Sequence, residues 1–331
     1  MFVGHALLAF AIAALAADWR GWERRPALTV GIVAGAFAAI PDVDVAYALV
    51  GLLEWYAADG ALEPTAAFWD ASRGVHRSVT HSVVVGALAA PAFGLLAVRG
   101  RSARFATVAG VALLGSLVAS AFVWHSPVVA FVMGLFAVSG VLVARGVARF
   151  SSLAPTTVAL AALVGLLSHP WGDLVTGSPP DWLFPFAAPG LDSRVVLHPD
   201  PTLHLLAAFA IELAVVWLAV LAYCRLADRG VLDGIDRRAG VGAAYGAVAL
   251  AATPPTLEVS YHFVFSILGV GLLCGVVRGP STPEFDDLLS RRLRSYRPSS
   301  SGTLEVALTA LTAVTVALAA YVIVYRLAVV A

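Results

Sequence analysis

Long apolar runs dominate the chain, separated by short clusters of Arg, Asp, Gly and Pro. A helix needs about 20 mostly apolar residues to cross a bilayer. Ten runs approach that length: residues 2–17, 26–41, 80–98, 104–124, 127–144, 153–169, 204–224, 239–253, 258–278 and 304–325. The pattern predicts an all-α, polytopic membrane bundle of about ten transmembrane helices. Several runs are short and rich in Ala and Gly, which suits close helix–helix packing. Val45–Ala58 is apolar but short and carries Glu54, so it reads as an interfacial or re-entrant helix. The first run resembles a signal peptide at Ala13–Ala17 but lacks a basic leader, and Asp18–Arg25 reads as a cytoplasmic anchor, so it counts as a span. Residues 1–190 hold every motif described below, and 191–331 read as further helices of the same membrane domain. The polar stretch Pro280–Ser301 carries no motif.

Composition narrows the function. Hydrophobic residues make up 60% of the chain, charged ones 13%, and the mean hydropathy is +0.87. A soluble domain has about 25% charged residues, so a single water-soluble core is excluded, and so is disorder, which needs low hydrophobicity. The 21 basic and 21 acidic residues cancel, which argues against nucleic acid as a partner. All the basic residues are Arg, so amine chemistry of the P-loop or Schiff-base kind is excluded. Two cysteines, Cys224 and Cys274, are too few for a disulfide framework or a thiolate metal site.

The Arg residues also give direction. Connections after the first, third, fifth, seventh and ninth runs hold 17 of the 21. By the positive-inside rule these connections face the cytoplasm and both termini face outside. On that map all eight His fall on the outer side and both cysteines on the inner side.

Four outer segments carry the candidate chemistry: His5; Pro41-Asp42-Val43-Asp44; His76-Arg77-Ser78-Val79-Thr80-His81-Ser82; and His169-Pro170-Trp171-Gly172-Asp173. Ionisable groups near lipid are costly and point to function. Imidazole with carboxylate is the donor set of zinc and similar cations. Asp42 and Asp44 repel each other unless a cation lies between them, although Asp is also a common cap residue. Arg77 stands on the outer side against the orientation rule; it neutralises either an anionic substrate or a loop acid such as Asp70. His169 and Asp173 share a face if their backbone is helical, and a capping role for His169 is the alternative. His125 has no carboxylate near it in sequence and reads as an interface residue. His198 and His204 are ambiguous, and His262, four residues after Glu258, is a weaker candidate ligand. Together His5, His76, His81, His169, Asp42, Asp44 and Asp173 suit a centre of two or more divalent cations that activates water.

These segments resemble the YdjM-type membrane-bound metal-dependent hydrolases, a family described as inner-membrane, LexA-binding hydrolases. Its pattern has an early His, a Pro-Asp-x-Asp, a His-Arg-x-x-Thr-His-Ser, and a His-x-x-x-Asp-x-x-Thr-x-Gly-like segment with a downstream Pro-Phe. His5, Pro41–Asp44, His76–Ser82, His169–Gly177 and Pro185-Phe186 match it in turn, except that Gly177 directly follows Thr176. No residue of this chain speaks for LexA binding. The resemblance covers roughly residues 1–190. The family is similar to zinc-dependent phospholipase C and P1-type nucleases, which implies a helical zinc centre and phosphoester hydrolysis.

The expected mechanism is attack by metal-activated water on a phosphorus or carbonyl centre. The cations, zinc first, are expected on the seven residues above. One Asp not fully engaged takes the proton, with Asp42 a catalytic candidate and the choice among the three left open, and Arg77 stabilises the departing charge. Thr80, Ser82 and Thr176 are expected to orient imidazoles. The aromatic loop Asp181–Phe186 is either a lipid-substrate entry or an interface anchor. The expected partners are membrane lipid and a small-molecule or lipid substrate. The competing class is a membrane transporter that binds a metal through the same donors; Glu212, inside the seventh run, is the feature that favours it.

Overall fold

The expected helices form because each run is apolar, and most end where Pro, Gly or a capping hydroxyl intervenes; Pro91 and Pro170 nevertheless lie inside helices. A computed structural model of the chain describes residues 2–47, 56, 77, 79–176, 179–186, 193–276 and 300–329. Among these residues every regular element is helical. The helices are α1 (Phe2–Trp19), α2 (Arg24–Ala38), α3 (Val83–Leu96), α4 (Ala103–Trp124), α5 (Pro127–Phe150), α6 (Pro155–Asp173), α7 (Pro201–Leu226), α8 (Tyr261–Val276) and α9 (Ser300–Ala328). Short 3₁₀ turns at Pro41–Tyr47 and Val79–His81 precede α3.

Among the described residues four helices are long and apolar enough to cross a membrane by themselves: Ala103–Trp124, Pro127–Phe150, Pro201–Leu226 and Gly302–Ala328. Val3–Trp19, Val83–Leu96 and Tyr261–Val276 are apolar but shorter. The ten expected crossings are thus met by helical structure at each run, but not by ten full-length spans. α2 has 15 residues, about 22 Å at 1.5 Å per residue, against a hydrocarbon core of about 30 Å. The run at 239–253 departs most. Arg237–Ala247 is 3₁₀ and only Val248–Ala251 is α-helical. Its small residues press on α9: a Cβ at Gly242 would collide with the Ala313 carbonyl. Of Val45–Ala58 only residues 45–47, the end of the 3₁₀ turn, and residue 56 are described, and Pro280–Ser301 falls almost wholly outside the described residues.

The chain divides into two compact units, one of residues 1–195 with 218–227, the other of 196–217 with 228–331. In the first unit α6 packs on α1, α2 and α3, and α3 packs on α4. Phe37 stacks on Phe93 in its core at a centroid distance of 5.2 Å, and Phe136 lies tilted against Phe93 at 6.1 Å. Close approach relies on small residues: a Cβ at Gly35 would lie 2.8 Å from the Ala6 carbonyl oxygen. The second unit is built on α9, α8 and the Arg237–Ala247 segment, around Tyr245, Phe263, Ile267, Tyr321 and Tyr325.

The position of α6 decides the chemistry. Its C-terminal turn, the start of α1, the turn after α2 and the turn before α3 meet at one end of the first unit, where the expected donors lie.

Candidate metal centre

Each donor is placed by a specific local device. Pro41 follows the end of α2 and starts the 3₁₀ turn that carries Asp42 and Asp44. Ser82 caps α3, accepting from Val84 and Val85 backbone N–H at 3.2 and 3.4 Å, which fixes His81 just before the helix. α6 stays helical through Pro170 and Gly172, so His169 and Asp173 lie one turn apart on one face. Gly172 is needed there: a Cβ on it would lie 2.5 Å from Cε1 and 2.7 Å from Nδ1 of His5.

The donors converge. Asp42 Oδ1 lies 3.7 Å from His81 Nε2, which lies 3.4 Å from Asp173 Oδ2. Asp173 Oδ2 lies 3.7 Å from His169 Nε2, which lies 3.6 Å from Asp42 Oδ1. Four atoms from three stretches of chain therefore close a ring. Its edges are too long for good hydrogen bonds, but close to the ~3.3 Å between neighbouring ligands of a tetrahedral ion with ~2.0–2.1 Å bonds. His5 borders the ring, with Nε2 3.4 Å from Asp173 Oδ1 and its ring centroid 4.0 Å from that of His169. Two overlapping donor groups result, His5–His169–Asp173 and Asp42–His81–His169, and His169 belongs to both.

Burial is nearly complete. His5 is 2% exposed, His81 and Asp173 1%, and His169 and Asp44 0%. Asp42 Oδ2, His169 Nε2 and Asp173 Oδ2 are buried with no hydrogen-bond partner. An unsatisfied buried polar atom costs about 1–3 kcal/mol; His169 Nε2 and Asp173 Oδ2 are ring atoms and Asp42 Oδ2 belongs to a carboxylate whose other oxygen is one, a set that fits a cation. The His169 tautomer agrees. Its Nδ1 lies 2.6 Å from the Ala38 carbonyl oxygen, which can only accept, so Nδ1 carries the proton and Nε2 offers its lone pair to the ring. Ala38 ends α2, so His169 satisfies one of that helix's free terminal carbonyls.

Arg77 sits beside the ring in a left-handed conformation, φ +65°, which is strained for a residue with a side chain. Its backbone N–H donates to Asp44 Oδ2 at 3.0 Å. Its guanidinium pairs with Asp173 Oδ1 at 2.8 Å and donates to Thr176 Oγ1 at 3.3 Å. Among the described residues the acid that pairs with Arg77 is Asp173, inside the site; Asp70 lies outside them. Thr80 contacts His81 Nδ1 at 3.0 Å and Asp44 Oδ2 at 3.4 Å. Of the three hydroxyls expected to orient imidazoles, Thr80 is so placed. Thr176 holds Arg77, and Ser82 ties the helix start to the aromatic loop through the Trp182 and Phe184 carbonyls. Trp182 packs edge-on against Trp171 at 5.1 Å.

The structure therefore brings together His5, Asp42, Asp44, Arg77, His81, His169 and Asp173. His76 lies outside the described residues. His125 stands apart, against Phe184 at 4.9 Å. In the second unit His198 and His204 accept backbone N–H from Asp200 and Leu197, both at 3.0 Å, and His262 packs on Tyr261. Sequence reasoning had no means to find Ala38, whose carbonyl acts on a side chain 131 residues away.

Gly172→Ala tests the packing of His5. In an open helix the change stabilises by up to about 1 kcal/mol. Here it is expected to displace the His5 ring from Asp173 and weaken metal binding about tenfold, with the melting temperature unchanged or lower. Metal content and melting of one sample check both.

These features define a helical membrane protein with a buried imidazole–carboxylate centre. The model of the YdjM inner membrane protein family matches residues 1–232, and the chain belongs to that family. Comparisons with curated proteins and with solved structures return no match.

Proposed function

We propose that this protein is a membrane-bound, metal-dependent hydrolase of phosphoester or lipid-like substrates. The observation that carries the reading is the closed ring of Asp42, His81, Asp173 and His169 donors with its orphaned buried atoms. His5 and Asp173 Oδ1 border that ring. The donor set favours zinc. A divalent cation bound there supplies a Lewis acid and lowers the pKa of water towards about 7.

The chain's own groups do the rest. Asp42 has one carboxylate oxygen facing the ring and the other without a hydrogen bond; it takes the proton of the attacking water. Arg77 keeps Asp173 ionised and oriented, and its charge balances the negative charge that develops at the reacting centre. Apolar volume lies nearby: a groove of about 500 Å³ runs along α1 and α6, lined by residues that include Leu8, Ile12, Leu163, Val164, Leu167 and Trp171. Leu8 is three residues from His5 and Trp171 two from His169. A substrate with an acyl chain fits such a surface.

The test is a panel of soluble phosphoesters, carboxylic esters and phospholipids offered to the purified, zinc-loaded chain. Turnover of at least one class, lost with chelator and restored by zinc, is the expected result. Zinc bound at full occupancy without turnover, together with zinc uptake into vesicles, would favour transport, to which the half-buried Glu212 of α7 would contribute.

The Arg distribution supports a centre on the extracytoplasmic side. Cys224 and Cys274 are buried, so both are replaced by Ser first. A cysteine placed in the Asp42–His76 loop should then react with an impermeant maleimide on intact cells. Labelling only after permeabilisation would invert the orientation.

A further inference from the structure

We infer that the Pro-Asp-x-Asp pair divides its labour: Asp42 faces the cation ring, while Asp44 acts through Thr80 as a positioning residue that holds His81 in the tautomer able to ligate. This rests on the reading of the ring as a cation site.

Thr80 Oγ1 carries one hydrogen, and two neighbours compete for it, Asp44 Oδ2 at 3.4 Å and His81 Nδ1 at 3.0 Å. A carboxylate can only accept, so the hydroxyl hydrogen goes to Asp44. The lone pairs of Oγ1 then face Nδ1, which must carry a proton. That leaves the Nε2 lone pair directed at Asp42 Oδ1 and Asp173 Oδ2, 3.7 and 3.4 Å away. The reverse arrangement would turn a hydroxyl lone pair on a carboxylate and place an N–H inside the ring.

Asp44 is itself fixed. It is fully buried, its Oδ2 takes the Arg77 backbone N–H at 3.0 Å, and that oxygen stands 3.6 Å from His81 Nδ1. Its charge favours a proton on the near nitrogen. The Arg77 backbone is held at φ +65° where it makes this bond. His81 is thus backed by a carboxylate through a hydroxyl, as His169 is backed by the Ala38 carbonyl. Both imidazoles present Nε2, and groups that back a ligating imidazole typically change metal affinity 10–100-fold.

The test uses the full chain in detergent with cobalt(II) as the probe, and reads affinity by chelator competition and the absorption spectrum at saturation. Thr80→Val should weaken cobalt about 10–100-fold, and Thr80→Ser should restore most of that loss. Asp44→Asn should weaken it similarly yet leave the saturated spectrum unchanged, because no ligand is altered. Asp42→Asn should change the spectrum or abolish binding. In the metal-free chain, ¹⁵N-histidine NMR should show His81 protonated at Nδ1, with that tautomer lost in Thr80→Val. Wild-type affinity in both Thr80→Val and Asp44→Asn, or an Asp44→Asn spectrum altered like that of Asp42→Asn, would overturn the proposal. A wild-type chain that takes up no cobalt at all would overturn the cation reading on which it stands.

Discussion

Asp173→Ala is expected to remove the bound cation and destabilise the first unit together. The side chain has two jobs, one on each oxygen. Oδ2 belongs to the donor ring, between His81 and His169. Oδ1 pairs with Arg77 at 2.8 Å, where the two side chains are 11% and 2% exposed. Removing one partner of a buried pair typically destabilises by about 3–5 kcal/mol. A melting temperature lower by on the order of 10 °C is therefore expected. Replacing both partners by apolar residues is far less damaging. Asp173→Leu with Arg77→Leu should recover much of the stability but none of the metal. Thermal unfolding and metal analysis of the single and double variants separate the two roles. A double variant that regained metal would show that Asp173 is not a donor.

His169→Ala is expected to have the largest effect on metal alone. His169 is the one residue shared by both donor groups, it is fully buried, and its Nε2 has no hydrogen bond. Its loss opens two edges of the ring. It also leaves the Ala38 carbonyl without that imidazole, for about 1 kcal/mol of stability. Metal affinity should fall well beyond the 10–100-fold expected for the groups that back a ligand. His125→Ala supplies the control, since that ring rests on Phe184 outside the cluster.

Much of this centre is legible in the sequence because its chemistry is local in type. His5, Asp42, His81, His169 and Asp173 stand out as imidazoles and carboxylates inside apolar runs, where an ionisable group needs a reason. What the sequence withholds is direction. Nothing in Pro41–Asp44 tells which Asp faces inward. Spacing alone reads Gly172 as a helix-weakening residue, whereas in three dimensions it is the gap that admits the His5 ring. The tautomer of His169 depends on Ala38, which no motif includes. The helical class follows from the apolar runs, but length and composition single out four full-length crossings among the described residues, and the shorter Ala- and Gly-rich helices pack closely against neighbours. The 239–253 run shows this most clearly: Gly242 and Gly246 lie close against α9, and the segment is 3₁₀ over Arg237–Ala247.

The central claim is that these donors trap a divalent ion, and elemental analysis of the purified full-length chain tests it most directly. The account predicts at least one equivalent of divalent metal, zinc first, in the wild type and in His125→Ala, and background levels in His169→Ala. A folded wild-type chain that stays metal-free after incubation with zinc, or a His169→Ala chain that keeps its metal, would contradict it.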